Sequence, residues 1–302
     1  MIREEHRMRT DVRFPTNGLQ LAGHLYLPDG ADGPLPAIVV GHQTTGVKEQ
    51  APAVYAARLV DEGFAVLTFD AAFQGESEGE PHGLEDPFQR AEDFRAAVSY
   101  LTTRPEIDSD RIGVMGVCGS GAYVPYAAQT DHRMKAVAGV SGTDVPSFFR
   151  SADPEGWQGM VARSGDLRSV EAAGEPAVTF PVLPEKADAD TPAPIAEFID
   201  YYKTPRGRHP RSTGDVVVRS ADLLDQFDSF ADVAKIAPRP LLMIAGTEAF
   251  TRGFSEQAVA DSPGNAELLL IEGATHVDLY DRDEYVTPAV AKLTDFFRQH
   301  LG

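Results

Sequence analysis

The chain has 302 residues, 42% of them hydrophobic and 24% charged, which suits one large globular domain or one domain carrying a sizeable insertion. Its net charge of −19 argues against nucleic acid and anionic membrane surfaces as partners and is read first as solubility. A single cysteine excludes an intramolecular disulfide framework, and there is neither a signal-peptide-like run near Met1 nor a stretch of roughly 18 apolar residues, so a soluble, cytoplasmic protein is expected.

Alternation in Val12–Phe14 and Leu21–Leu27, on either side of Thr16-Asn17-Gly18, predicts an antiparallel hairpin. After Pro34 the pattern changes. Ala37–Val40, Ala65–Phe69, Ile112–Met115 and Ala136–Val140 are short, nearly continuous apolar runs, as expected of strands buried on both faces of a parallel sheet. Between them lie helical patterns at Gln50–Glu62 and Asp86–Leu101, the second with Phe88, Ala91, Phe94, Ala97, Val98 and Leu101 on one face. Two late strands, Pro240–Ala245 and Glu267–Ile271, precede a closing amphipathic helix over Thr287–Leu301. This strand–helix alternation predicts an α/β fold with a mostly parallel central sheet and helices on both faces.

Residues 146–220 break the rhythm. They are rich in Pro, Gly and charge, yet they hold Phe148, Phe149, Trp157, Phe198, Tyr201 and Tyr202, which a disordered linker would not carry. The division expected is therefore a core of residues 1–145 and 221–302 with residues 146–220 inserted as a cap over the active-site end of the sheet.

The stretch Arg111–Ala122 carries the chemistry. It reads as a buried strand entering a turn of small residues, with Cys118 at the apex and a helix behind it. Such a nucleophile elbow is so tight that the residues two before and two after the apex must have almost no side chain. Gly116 and Ser120 meet that need around Cys118. The alternative register, with Ser120 at the apex between Cys118 and Ala122, fits less well, because Tyr123 replaces the second glycine. At such an apex the helix N-terminus favours a thiolate, whereas elsewhere a lone cysteine is commonly a small buried hydrophobe. A dinucleotide-binding reading of the same glycines fails on position, since the turn lies deep in the chain and spells Gly-x-x-Gly-x-Gly.

A nucleophile needs a base and the base an orienting group. His276, on the loop after the last strand, is the base best placed; His82 is a weaker reserve. For the acid, Glu248 follows the strand Pro240–Ala245, and Asp144 follows the strand that ends near Val140; Glu248 is narrowly preferred. The oxyanion hole needs two N–H donors, expected from the amides of Gly119 and Thr44, with Gln43 beside Thr44 and His42 shaping the loop.

Gly41-His42, Gly46–Gln50, Phe69–Ser77, Gly116-Val117-Cys118, Pro238–Leu242 and His276–Asp281 together resemble the dienelactone-hydrolase-like, polyketide transferase-like subgroup of the α/β-hydrolase fold. The fold resemblance spans nearly the whole chain. It implies a cysteine-centred triad acting on carboxylic esters, lactones or thioesters, with no cofactor and no metal. Two features depart from the pattern: Gln43-Thr44-Thr45, where relatives often have Pro and Gly, and Ala249 at the usual acid position. The expected activity is hydrolysis of an activated ester, lactone or thioester through an acyl-enzyme on Cys118. The alternatives are acyl transfer or carbon–carbon bond hydrolysis on the same scaffold, and a non-catalytic protein that binds small molecules. The expected partner is a small-molecule substrate, and a homodimer is compatible with the sequence.

Overall fold

In the computed structural model, which describes residues 7–30 and 33–302, the chain opens with the hairpin set up by its turn residues. Strands β1 (Arg7–Thr16) and β2 (Leu19–Pro28) pair antiparallel. Asn17 and Gly18 between them take φ of 40° and 84°, the left-handed pair that a two-residue hairpin needs. Residues 1–6, over which the sequence shows no apolar run, lie outside the described residues.

Alternation then gives way to strands and crossover helices: β3 (Leu35–Gly41), α1 (Ala51–Asp61), β4 (Ala65–Phe69), α2 (Pro87–Thr102), β5 (Ile107–Val117), α3 (Ser120–Ala128) and β6 (Met134–Val140). A long excursion follows, with α4 (Val145–Ala152), α5 (Pro154–Ala172), β7 (Thr179–Pro181), α6 (Ala193–Lys203), β8 (Asp215–Val217) and α7 (Ser220–Asp225). The chain closes through β9 (Leu241–Gly246), α8 (Arg252–Ala260), β10 (Ala266–Ile271), α9 (Asp278–Asp281) and α10 (Asp283–Leu301). The eight-stranded sheet has the order β1-β2-β4-β3-β5-β6-β9-β10, parallel from β4 to β10, while β7 and β8 pair separately. It is an α/β-hydrolase fold, as expected.

The apolar runs show why the central strands are continuous rather than alternating. Ala37 and Val39 pack with Phe94, Val98 and Val124 on one face, whereas Ile38 and Val40 pack with Tyr55, Leu59 and Phe297 on the other. Both faces are therefore dry. Two details differ from expectation. Phe88, expected on the buried face of α2, is 41% exposed and sets its ring edge-on against Phe227. The last helix begins at Asp283, a turn before Thr287, and carries Pro288 inside it. Among the described residues, no helix is long and apolar enough to cross a membrane.

In the excursion, three prolines start helices: Pro146, Pro154 and Pro194 sit in the first turns of α4, α5 and α6. Trp157 stacks on Phe149 at 5.9 Å and donates its indole N–H to Asp225 Oδ1 at 2.8 Å, tying α4, α5 and α7 together. The carboxyl ends of β3, β5, β6, β9 and β10 share one edge of the sheet. The loops that follow them carry Thr44, Cys118, Ser141, Thr251 and His276.

Candidate active site

The turn after β5 places Cys118 at its apex with φ of 58°, a left-handed conformation that a residue with a side chain adopts at a cost. The turn is fixed from three sides. Cys118 donates its N–H to Val140 O at 2.9 Å, and its carbonyl accepts from Gly121 N–H at 2.8 Å and Thr143 N–H at 3.1 Å. A Cβ on Gly116 would lie 2.1 Å from Ser120 O, and one on Gly121 would lie 2.9 Å from Gly142 Cα. These contacts are the physical content of the small-residue pattern. Ser120 faces inward, nearly fully buried, and donates its hydroxyl to His42 O at 2.5 Å. Cys118, not Ser120, occupies the apex.

The thiol faces two backbone donors, the amides of Gly119 and Thr44. His42 helps to hold the Thr44 loop in place: its Nδ1 lies 2.7 Å from Gln43 O and its Nε2 accepts from Ala71 N–H at 3.0 Å. Arg90 donates to His42 O at 3.0 Å, and burial together with Arg90 keeps the imidazole's pKa well below its ordinary value. A neutral, fully engaged His42 shapes the loop and is not free to act as a base. Behind it, the buried Lys48 ammonium lies 2.8 Å from Asp70 Oδ2 and 2.6 Å from Glu76 Oε2, joining the segments 46–50 and 69–77. His82, exposed, braces its own loop against the carbonyls of Gly79 and Gly75.

His276 is fully buried at the same sheet edge, its carbonyl accepting from Ser141 Oγ at 3.0 Å. Both ring nitrogens are engaged by hydroxyls: Nδ1 lies 2.5 Å from Thr251 Oγ1, and Nε2 lies 2.9 Å from the Tyr280 hydroxyl. Burial pushes the His276 pKa down to about 3 with no opposing carboxylate, and it pushes the Cys118 thiol up. Burial thus favours the neutral form of both the thiol and the imidazole. In front lies a cavity of about 280 Å³ walled by Val145, Phe148, Phe149, Leu183, Ile195 and Phe198, with no charged side chain in its lining.

A model of the dienelactone hydrolase family matches residues 21–204. The chain belongs to the dienelactone hydrolase family. It is 35% identical to the uncharacterized protein PA2218 of Pseudomonas aeruginosa, covering 98% of this chain and 81% of that one. The crystal structure of PA2218 superposes with a TM-score of 0.92 at 32% identity, covering 98% and 95% of the two chains. Some fungal relatives have named activities. Thiohydrolase aneE of Aspergillus aculeatus is 34% identical over 57% of this chain and 53% of its own. Polyketide transferase af380 of Aspergillus fumigatus is 27% identical over 97% and 99%. Membership supports hydrolase or acyltransferase chemistry on this scaffold.

Within this dienelactone hydrolase family member, neither expected carboxylate is brought to His276. Glu248 is exposed and contributes only its backbone N–H, to Ala274 O. Asp144 is buried but spent: it caps α4 through Ser147 N–H and accepts from both the N–H and the hydroxyl of Ser229. At Nδ1 of His276, where a carboxylate was expected, stands the hydroxyl of Thr251, two residues beyond Ala249. Thr251 and Tyr280 were not legible as site residues, because hydroxyl side chains are common and only the meeting of the two loops distinguishes these. The spacing of Tyr280, four after His276, is the one sequence signal that could have found it. Among the described residues, no cluster of three or more His, Cys, Asp or Glu side chains could hold a metal ion.

The depressed His276 pKa has a stability consequence. The unfolded chain takes up the proton near 6.5, whereas the folded protein resists it down to about 3, so stability is present above 6.5 and is lost as pH falls through that window. Between pH 7 and 4.5 this one group is expected to remove up to about 2.5 kcal/mol. Urea midpoints of wild type and His276→Asn at the two pH values check it: the variant should lose less, and an equal loss would refute the assignment.

Proposed function

We propose that the protein hydrolyses a thioester, lactone or activated ester with a neutral, apolar acyl group, through a covalent acyl-enzyme on Cys118. The observation that carries this reading is the convergence of the Thr44 and Gly119 amides on a thiol at a strained apex. Those two N–H groups are available to hold the negative charge that develops on a carbonyl oxygen when sulfur attacks its carbon. His276 serves as general base, oriented by Thr251 in place of a carboxylate. The segment 146–220 acts as the cap, contributing Phe148, Phe149, Leu183, Ile195 and Phe198 to the acyl cavity.

Thiol chemistry suits leaving groups that depart easily. An unactivated amide is a poor substrate, because the thiolate is expelled from the tetrahedral intermediate in preference to the amide nitrogen. The name of the aneE relative supports thioester hydrolysis, and that of af380 supports transfer to a second acceptor on the same site; the acceptor alone would differ. Intact-protein mass spectrometry after mixing with a neutral butyryl thioester is the test. An adduct of one acyl mass, absent from Cys118→Ala and present in Ser120→Ala, is expected. Lack of an adduct in wild type would favour a protein that binds without turnover.

The uncharged wall predicts acyl selectivity. An unpaired carboxylate in an apolar cavity costs several kcal/mol. A neutral butyryl or hexanoyl thioester is therefore expected to exceed the corresponding ω-carboxyl thioester in kcat/KM by about 100-fold or more. Equal values for the two would refute the assignment of this cavity as the acyl site.

A further inference from the structure

We propose that the Tyr280 hydroxyl is a catalytic group, carrying the proton between the Cys118 sulfur and His276 Nε2. This rests on the acyl-enzyme reading and specifies how its base reaches the nucleophile. Thr251 occupies Nδ1 of His276 at 2.5 Å and Tyr280 occupies Nε2 at 2.9 Å, leaving neither nitrogen for the thiol. On its other side the same tyrosine hydroxyl faces the Cys118 thiol, which also meets the Gly119 and Thr44 amides and the Thr143 hydroxyl.

Tyr280 is built to stay there. Its side chain is fully buried, edge-on to His276 at 5.4 Å and to Tyr201 at 5.0 Å. The short helix α9 that carries it is pinned by the Tyr55 hydroxyl, which donates to Leu279 O at 2.7 Å, and by Arg206, which pairs with Asp281 at 2.7 Å. Burial and the neighbouring Cys118 keep the phenol's pKa well above its ordinary value, so Tyr280 is a neutral hydroxyl that donates and accepts at once.

The step balances without a stable thiolate. The sulfur forms its bond to the carbonyl carbon as its proton passes to the Tyr280 oxygen. The proton already on Tyr280 passes to His276 Nε2, and the carbonyl π pair moves onto the oxygen between the Thr44 and Gly119 amides. On collapse the bond to the leaving group breaks, Tyr280 gives that group a proton, and Nε2 returns one to Tyr280. His276 must carry its resting proton on Nδ1, donating to Thr251. Two simultaneous transfers suit a site where burial disfavours both a separate thiolate and a separate imidazolium and where no carboxylate stands by to stabilise the latter.

Tyr280→Phe removes only the oxygen. Acylation, followed by thiol release from the butyryl thioester of N-acetylcysteamine, is expected to fall by about 100-fold or more, the scale of general acid–base catalysis. His276→Ala should lose a similar factor, and the double variant no more than either single one, because the two act in series. The pH profile of Cys118 alkylation by iodoacetamide should move upward in Tyr280→Phe, a readout that a packing role would leave unmoved. Acylation within about threefold of wild type, multiplicative losses in the double variant, or an unmoved alkylation profile would each overturn the relay. If Tyr280→Phe does not fold, the dependence of the wild-type acylation rate on deuterium fraction decides: a bowed plot is expected for two protons in flight, and a straight one refutes it. An acyl adduct that persists in Cys118→Ala, or none in wild type, identifies failure of the nucleophile reading itself.

Discussion

Cys118→Ala is expected to lower kcat/KM on a neutral thioester by at least about 1,000-fold and to abolish the acyl adduct, since removing the nucleophile of a covalent hydrolase leaves only its oxyanion hole and binding. The fold should be unchanged, because alanine fits the apex and every hydrogen bond that fixes the turn is made by backbone atoms. Cys118→Ser is the sharper comparison. It keeps a nucleophilic atom between the same amides but presents a far weaker acid to His276. Serine triads that lose the carboxylate orienting their histidine fall by about 10⁴ in kcat. This site has Thr251 where that carboxylate would be, so Cys118→Ser should remain within about tenfold of Cys118→Ala. Restoration of most activity by serine would show that His276 is a stronger base than its burial implies. Single-turnover kinetics with mass detection measures both variants.

The second large effect is structural. Gly116→Ala would set a methyl group 2.1 Å from Ser120 O, 2.2 Å from its carbonyl carbon and 2.7 Å from Gly121 N, all of them backbone atoms that no rotamer change can move. Relief requires β5 and the start of α3 to separate, which would displace the Cys118 apex and the Gly119 amide together. A loss of about 3 kcal/mol or more is expected, at the upper end of overpacking costs. A urea titration reads the stability, and acylation by the butyryl thioester should fall in parallel. Gly159→Ala is the matched control. Gly159 lies inside α5, and nothing stands within 4 Å of the added methyl, so stability should rise by up to about 1 kcal/mol from helix propensity. If Gly116→Ala behaved like the control, the tight-elbow account would be wrong.

On the acyl-enzyme reading proposed above, a hydroxyl where a triad carboxylate was expected changes what kind of catalyst the site can be. With no buried charge to stabilise an imidazolium, burial favours a neutral thiol and a neutral imidazole, and that reading confines the chemistry to acyl groups with good leaving groups. The proposed restriction matches the apolar, uncharged cavity.

How much of this was legible before folding follows from which interactions are local. The continuous apolar runs at Ala37–Val40 and Ile112–Met115 specified strands buried on both faces, because only such strands tolerate side chains of one kind on both sides. Gly116, Ser120 and Gly121 specified the elbow, because the steric demand lies within a few residues of the apex. The position of His276 at the sheet edge was legible from its place after the last strand, and the hairpin from the turn geometry of Asn17-Gly18. The partners of His276 were decided by tertiary structure. Thr251 reaches Nδ1 because the loops after β9 and β10 lie side by side, and Asp144 is engaged both locally, by Ser147 N–H, and by Ser229, 85 residues later. Hydroxyl and carboxylate groups find partners according to which loops converge in space. Strand burial and the elbow's sterics are written in neighbouring residues, while hydrogen-bond partnership across the sheet edge is settled only when the chain has closed around it.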